Sequence, residues 1–160
     1  MERALFVAHD DDALTRELLR EAAELAAGVG SELLVLWVMA EDEYEERLES
    51  RRELLANEPD RKKESAYPVT SAEEDAKRRA NRLAEDTLDD LALEWSPLGA
   101  VGREEQTVLE VAEGEGADHL FIVGKRRSPS GKAIFGDLAQ RLIIQFDGPV
   151  TTQIPGLGND

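Results

Sequence analysis

The chain has 160 residues, of which 41% are hydrophobic and 34% charged, with 19 Lys+Arg against 35 Asp+Glu for a net charge of −16. That apolar share supports a core in one domain of this length, and the absence of cysteine excludes a disulfide scaffold, a Cys-ligated zinc and a thiol nucleophile. The acidic excess repels nucleic acid and anionic lipid.

The longest apolar run, Leu33–Ala40, is eight residues, too short for a membrane span of roughly twenty. The opening Met1-Glu2-Arg3-Ala4 lacks the basic-then-apolar profile of a signal peptide. The expectation is a soluble, cytoplasmic protein. Of the basic residues 14 are Arg and five are Lys. An acidic, Lys-poor surface fits a halophile's cytoplasm, where molar salt screens self-repulsion within a few ångströms. An ordinary acidic protein is the other reading. Circular dichroism against KCl separates the two, since full folding in dilute buffer counts against the first.

In chain order, Ala4–Ala8 reads as a first strand, apolar throughout and therefore covered on both faces. It leads into the acidic loop His9-Asp10-Asp11-Asp12. A helix follows, with Leu14, Leu18, Ala22, Leu25 and Val29 as its apolar stripe and Gly28 and Gly30 at its end. Leu33–Ala40 is a second buried strand. Residues 41–70 read as a polar insertion, helical over Glu41–Arg52 and looped around Asn57–Pro68: a solvated, mobile segment or a lid. A helix over Ala72–Leu91 carries Ala76, Ala80, Leu83 and Thr87 on one stripe, with capping boxes in Thr70-Ser71-Ala72-Glu73-Glu74. Leu93–Val101 is a weaker strand that Pro97 makes an edge or an interrupted strand. A helix from Glu104 to about Gly114 turns Val108, Val111 and Ala112 inward. Leu120–Val123 is the fourth strand. A last helix, Asp137–Phe146, points Leu138, Leu142, Ile143 and Phe146 inward, and a last strand starts at Pro149–Thr152 and stops near Pro155. Residues 1–155 thus form one domain, and 156–160 a loose tail. Trp37 and Trp95 read as core or interface residues.

Alternating strands and helices imply right-handed crossovers and a Rossmann-like α/β fold. Its core is a doubly wound five-stranded parallel sheet with helices on both faces. Ligands of such sheets sit beyond the carboxyl ends of the strands, where strand order reverses. The dinucleotide fingerprint is absent from the first loop, whose three Asp repel pyrophosphate, and no G-x-x-x-x-G-K-[ST] loop occurs. A receiver domain is excluded because the third and fifth strands end without the Asp and Lys it needs. Asp10-Asp11-Asp12 either hold Mg²⁺ or cap the first helix. His9 and His119 fall at opposite ends of adjacent strands, which argues against a zinc pair and for capping or surface roles. No nucleophile–base set is spaced for catalysis, so the expected catalytic and metal sets are empty.

Residues 124–141 hold Lys125, Arg126, Arg127, Lys132 and Arg141 against Asp137 alone, a local +4 in a chain that is otherwise −20. Gly124, directly after a buried strand, lets the backbone turn close to a ligand. The loop has hydroxyls at Ser128 and Ser130 and feeds a helix N-terminus, a favourable place for phosphate.

Over essentially its whole length the sequence resembles the universal stress protein (UspA-like) family. The resemblance rests on Phe6-Val7-Ala8-His9-Asp10, Leu33–Val38, Asp118-His119-Leu120-Phe121-Ile122-Val123-Gly124, and Phe135-Gly136-Asp137-Leu138-Ala139-Gln140 followed by Gly148-Pro149-Val150. It implies an adenine nucleotide alpha hydrolase-like fold. It also implies a bound ATP or related adenine nucleotide, with or without Mg²⁺. Adenine would lie near Asp10 and Val38, walled by Ala8, His9 and Val123. Phosphates and ribose would lie on Gly124, Arg127, Gly136, Asp137 and Leu138. It further implies a homodimer through Val150–Ile154, with any hydrolysis slow or incidental. The sequence departs from the family's Gly, two residues, Gly, nine residues, Gly, Ser/Thr pattern in three ways. Arg127 replaces the second Gly, the following loop is one residue shorter, and Asp137 replaces the hydroxyl. Gly131 and Ser130 could partly restore the turn. A carboxylate at a helix N-terminus repels phosphate, so the alternative is a dimeric interaction module that has lost nucleotide binding.

Overall fold

The computed structural model describes residues 1–56, 66–124 and 137–154. Five parallel strands, β1 (Arg3–Ala8), β2 (Glu32–Ala40), β3 (Trp95–Gly102), β4 (His119–Val123) and β5 (Val150–Gln153), lie in the order β3-β2-β1-β4-β5. The helices are α1 (Ala13–Val29), α2 (Glu41–Leu54), α3 (Val69–Leu88), α4 (Glu104–Glu115) and α5 (Asp137–Gln145). This is the expected doubly wound sheet, and of the two readings of Pro97 the edge is the one observed: β3 is an uninterrupted edge strand.

Period-two alternation splits the core into two layers. Ala4, Phe6, Ala8, Leu33, Val35, Trp37 and Phe121 face α1 and α3. Leu5, Val7, Leu34, Leu36, Val38, Leu120 and Ile122 face α4 and α5. The central strands are buried on both sides, so each residue contributes to one layer or the other. Full burial of a Leu or Phe side chain is worth roughly 1.5–3 kcal/mol.

Asp12 caps α1, its carboxylate accepting from the Thr15 N–H at 2.8 Å and the Thr15 hydroxyl at 2.6 Å, and Gly30 closes the helix with φ 73°. The buried stripe is Thr15, Leu18, Leu19, Ala22, Ala23 and Ala26. Leu25 and Val29, expected inside, are 46% and 55% exposed. The small side chains at 22, 23 and 26 let α1 approach the sheet, and that face wins over a stripe through Leu25. In α5 the same rotation buries Ala139 beside Leu142 and leaves Ile143 exposed. The capping boxes expected at Thr70–Glu74 do not form. Helix α3 starts earlier, at Val69, and the Pro68 carbonyl accepts from the Ser71 and Ala72 N–H groups.

Helix α3 crosses β3 at Gly99, where an added Cβ would stand 2.2 Å from the Glu73 carbonyl oxygen and 2.3 Å from the Lys77 nitrogen.

Of the expected insertion over residues 41–70, residues 57–65 lie outside the described residues, and the described part rests on the core at a few points. Helix α2 buries no residue fully, yet Tyr44 and Leu48 pack on the α1/α3 layer. Tyr67 is wholly buried. Its ring stacks on Tyr44 at 5.6 Å and lies 4.2 Å from the Arg51 guanidinium. Its hydroxyl donates to Asp75 at 2.5 Å, while Tyr44 donates to the Tyr67 carbonyl at 2.8 Å. Burial, then the Asp75 bond, raises the Tyr67 pKa, and the same bond lowers that of Asp75.

At the amino end of the sheet, His119 stacks on Phe121 at 4.5 Å and its Nε2 meets the Thr151 hydroxyl at 2.8 Å. Burial lowers its pKa below the ordinary 6.5, against the opposing pull of Asp118. The unfolded chain therefore binds this proton more readily than the folded one. The stabilisation is complete above about pH 6.5 and is lost as pH falls through the lower, folded-state value. Urea titrations at stepped pH should show stability declining below about 6.5. His119→Gln should flatten that slope, and a slope unchanged by the substitution would place its origin elsewhere.

Among the described residues no helix is long and apolar enough to cross a membrane.

Candidate functional site at the carboxyl edge

The chain runs from β1 outward through β2 to β3, then returns to β4 on the other side of β1. Strand order thus reverses between β1 and β4, and a crevice opens beyond their carboxyl ends. Ala8 pairs in register with Trp37, and Val7 with Ile122. This brings Ala8-His9, Val38 in the last part of β2 and Val123-Gly124 toward one edge.

Ala8 and Val38 are buried, on opposite faces of the sheet. Val123 is half-buried, and the Gly124 N–H donates to the Gln153 carbonyl at 2.8 Å, tying the exit of β4 to β5. His9 and Asp10 are exposed, with His9 Nδ1 3.8 Å from an Asp10 carboxylate oxygen. Asp137 is the first residue of α5, and Leu138 packs on the α4/α5 layer. Arg127, Gly131 and Gly136 lie outside the described residues.

The two readings of the acidic triplet resolve toward capping. Asp12 caps α1, and Asp11 pairs with Arg16 at 2.7 Å. The Thr15 hydroxyl is the main reason that Asp12 titrates below the ordinary 3.8. No group of three metal-ligating side chains occurs among the described residues. His9 and His119 do stand at opposite ends of the sheet: His119 pairs with Ala4, at the other end of β1 from His9.

A cleft of about 790 Å³ opens at the same edge beyond β2 and β3, within the range of roughly 300–1,000 Å³ usual for ligand sites. Of the residues singled out from the sequence it contains Leu138 and Arg141; Ala40, Gly102 and Arg103 were not among them. A glycine and a cation at the end of a strand were the available signal; the sequence placed the end of β3 within one residue of Gly102, but that end carries no motif. Helices α2 and α4 begin at this cleft with no side-chain cap. Their first turns carry Glu41, Asp42 and Glu43, and Glu104 and Glu105, which answer the positive ends of the dipoles. Arg103 stands 3.7 Å from Glu41, and Arg141 3.3 Å from Glu105. With its described cations paired and carboxylates in excess, the cleft suits a ligand of low negative charge.

A search of curated protein sequences finds no match. Among solved structures the chain resembles a universal stress protein from Archaeoglobus fulgidus, at 18% identity and TM-score 0.62, covering 95% of this chain and 98% of that one. A universal stress protein from Archaeoglobus fulgidus in complex with dAMP matches at 15% identity and TM-score 0.58, covering 95% and 97%. A universal stress protein in complex with cAMP matches at 15% and 0.54, covering 96% of each chain. At such identities these likenesses speak for the fold. The model of the Universal stress protein family matches residues 1–152. With nearly its whole length covered by that match, the chain belongs to the universal stress protein family.

Proposed function

We propose that the chain is a cytoplasmic regulatory module that binds an adenine nucleotide at the crevice between β1 and β4, with little or no catalysis. The observation that carries the reading is the gathering of Ala8, His9, Asp10, Val38, Val123 and Gly124 at the point where strand order reverses. The two relatives solved with dAMP and cAMP support the ligand class. The base would lie at the carboxyl edge near Asp10 and Val38, with Ala8, His9 and Val123 around it, and the phosphate near Gly124, Arg127, Gly131, Gly136 and the first residues of α5, Asp137-Leu138. The paired arginines and acidic rim of the neighbouring cleft favour a monophosphate over ATP. A homodimer through β5, extended to Ile154, is part of the reading, because β5 is an edge strand. So is operation in high salt, because of the −16 charge.

Asp137 as the first residue of α5 favours a second reading, a dimeric interaction module without nucleotide. Calorimetry with AMP, cAMP and ATP in about 2–3 M KCl separates the two. Heat with AMP exceeding that with ATP supports the first, and no heat with any nucleotide leaves the second. Asp137→Ser should tighten ATP about 5–30-fold by removing local repulsion at the helix N-terminus. Unchanged affinity would mean that Asp137 does not face the phosphates.

A further inference from the structure

A second concavity, of about 360 Å³, lies away from the crevice, where α4 and α5 end. Its apolar lining is Leu109, Ala112, Ala117 and Phe146, and the exposed Glu113, Gln145 and Asp147 form its rim, with the Gln145 amide donating to Glu105. From Glu104 through Asp118 the chain has six carboxylates and no Lys or Arg. Neither helix has a basic residue in its last turn, so the negative ends of both dipoles add to the field of the rim. Arg3 reaches the end of α4 through the Glu115 carbonyl, but it is already paired with Glu32 at 2.6 Å. Arg141, in the middle of α5, is paired with Glu105.

Apolar floor and negative rim together select the occupant. A second copy would bring its own carboxylates and a further −16, setting like charges against each other across a small contact. Nucleic acid and anionic lipid are repelled for the same reason. A cation beside a large apolar side chain satisfies both parts: the side chain fills the floor, and the cation meets Glu113, Asp147 and the helix ends. We propose that this groove docks a basic amphipathic segment of a partner protein, a Leu or Phe anchor flanked by Lys or Arg. The site is separate from the nucleotide crevice and does not depend on nucleotide binding.

The test uses the full chain at the lowest KCl concentration at which circular dichroism shows it folded. The probe is a fluorescent amphipathic peptide of about 12 residues with Leu at i, i+3, i+4 and i+7 and Lys elsewhere. Anisotropy should report binding that is lost when Glu replaces Lys, and lost equally when Ala replaces Leu. Glu113→Lys combined with Asp147→Lys should weaken it about tenfold or more. Glu21→Lys combined with Glu74→Lys, on the α1/α3 side, should change it by less than about twofold. Equal losses from the two pairs would reduce the effect to the overall field and overturn the proposal, as would no binding to the unsubstituted chain. So would self-association, measured by sedimentation, that the Glu113/Asp147 pair abolishes.

Discussion

Gly99→Ala should cost about 3 kcal/mol or more and lower Tm by about 6–12 °C for a domain of this size. A methyl group here would meet the Glu73 carbonyl oxygen at 2.2 Å and the Lys77 nitrogen at 2.3 Å. Both are backbone atoms of α3, so no rotamer change relieves the overlap, and α3 must lift from β3. That lift would open the layer built on Ala72, Ala76 and Ala80, whose small side chains exist to let the helix lie close. Gly114→Ala is the control: nothing stands within 4 Å of its added Cβ, and in a helix the change should stabilise by about 0.5–1 kcal/mol. Thermal melts of the two variants should therefore move in opposite directions. A Gly99→Ala melt within a degree or so of the unsubstituted chain would mean that α3 and β3 are not in such close contact.

Tyr67→Ala should remove about 3–5 kcal/mol, the usual cost of emptying a buried aromatic site. The ring is fully enclosed, and it joins Tyr44 and Arg51 of α2 to Asp75 of α3. Its loss should also release α2, which buries no residue fully. Amide exchange over Glu41–Leu54 should then accelerate more than exchange in α1. Tyr67→Phe keeps the ring and loses the bond to Asp75, for a cost of about 1 kcal/mol. Urea denaturation separates the three chains. Equal stability of the Ala and Phe variants would show that the ring contributes little.

Tyr67 also marks where sequence reasoning stopped. A single aromatic in a polar stretch has no periodicity, and its burial depends on Tyr44, 23 residues earlier on α2, and on Asp75 of α3. Strands β1, β2 and β4 were legible because burial on both faces leaves an unbroken apolar run. Strand β3 was legible only as an edge, through Pro97. The helices were legible in place but not in rotation: Leu25, Val29 and Ile143 are apolar and helically spaced, and only the alanine-lined alternative shows which face meets the sheet. At the site, the topology brought His9, Val38 and Gly124 to one edge as their strand positions required. The cleft beyond β3 was not foreseen, because its walls come from Arg103 and the uncapped starts of α2 and α4, which carry no motif.

The two rims of the sheet differ in what they would allow during growth. The rim at β3 includes Pro97, which has no N–H to offer an incoming strand. The rim at β5, Val150-Thr151-Thr152-Gln153, has no such interruption. If copies pair through β5 as proposed, the blunted rim at β3 would oppose further growth of the sheet, so the assembly would end at two subunits rather than extend into a fibre.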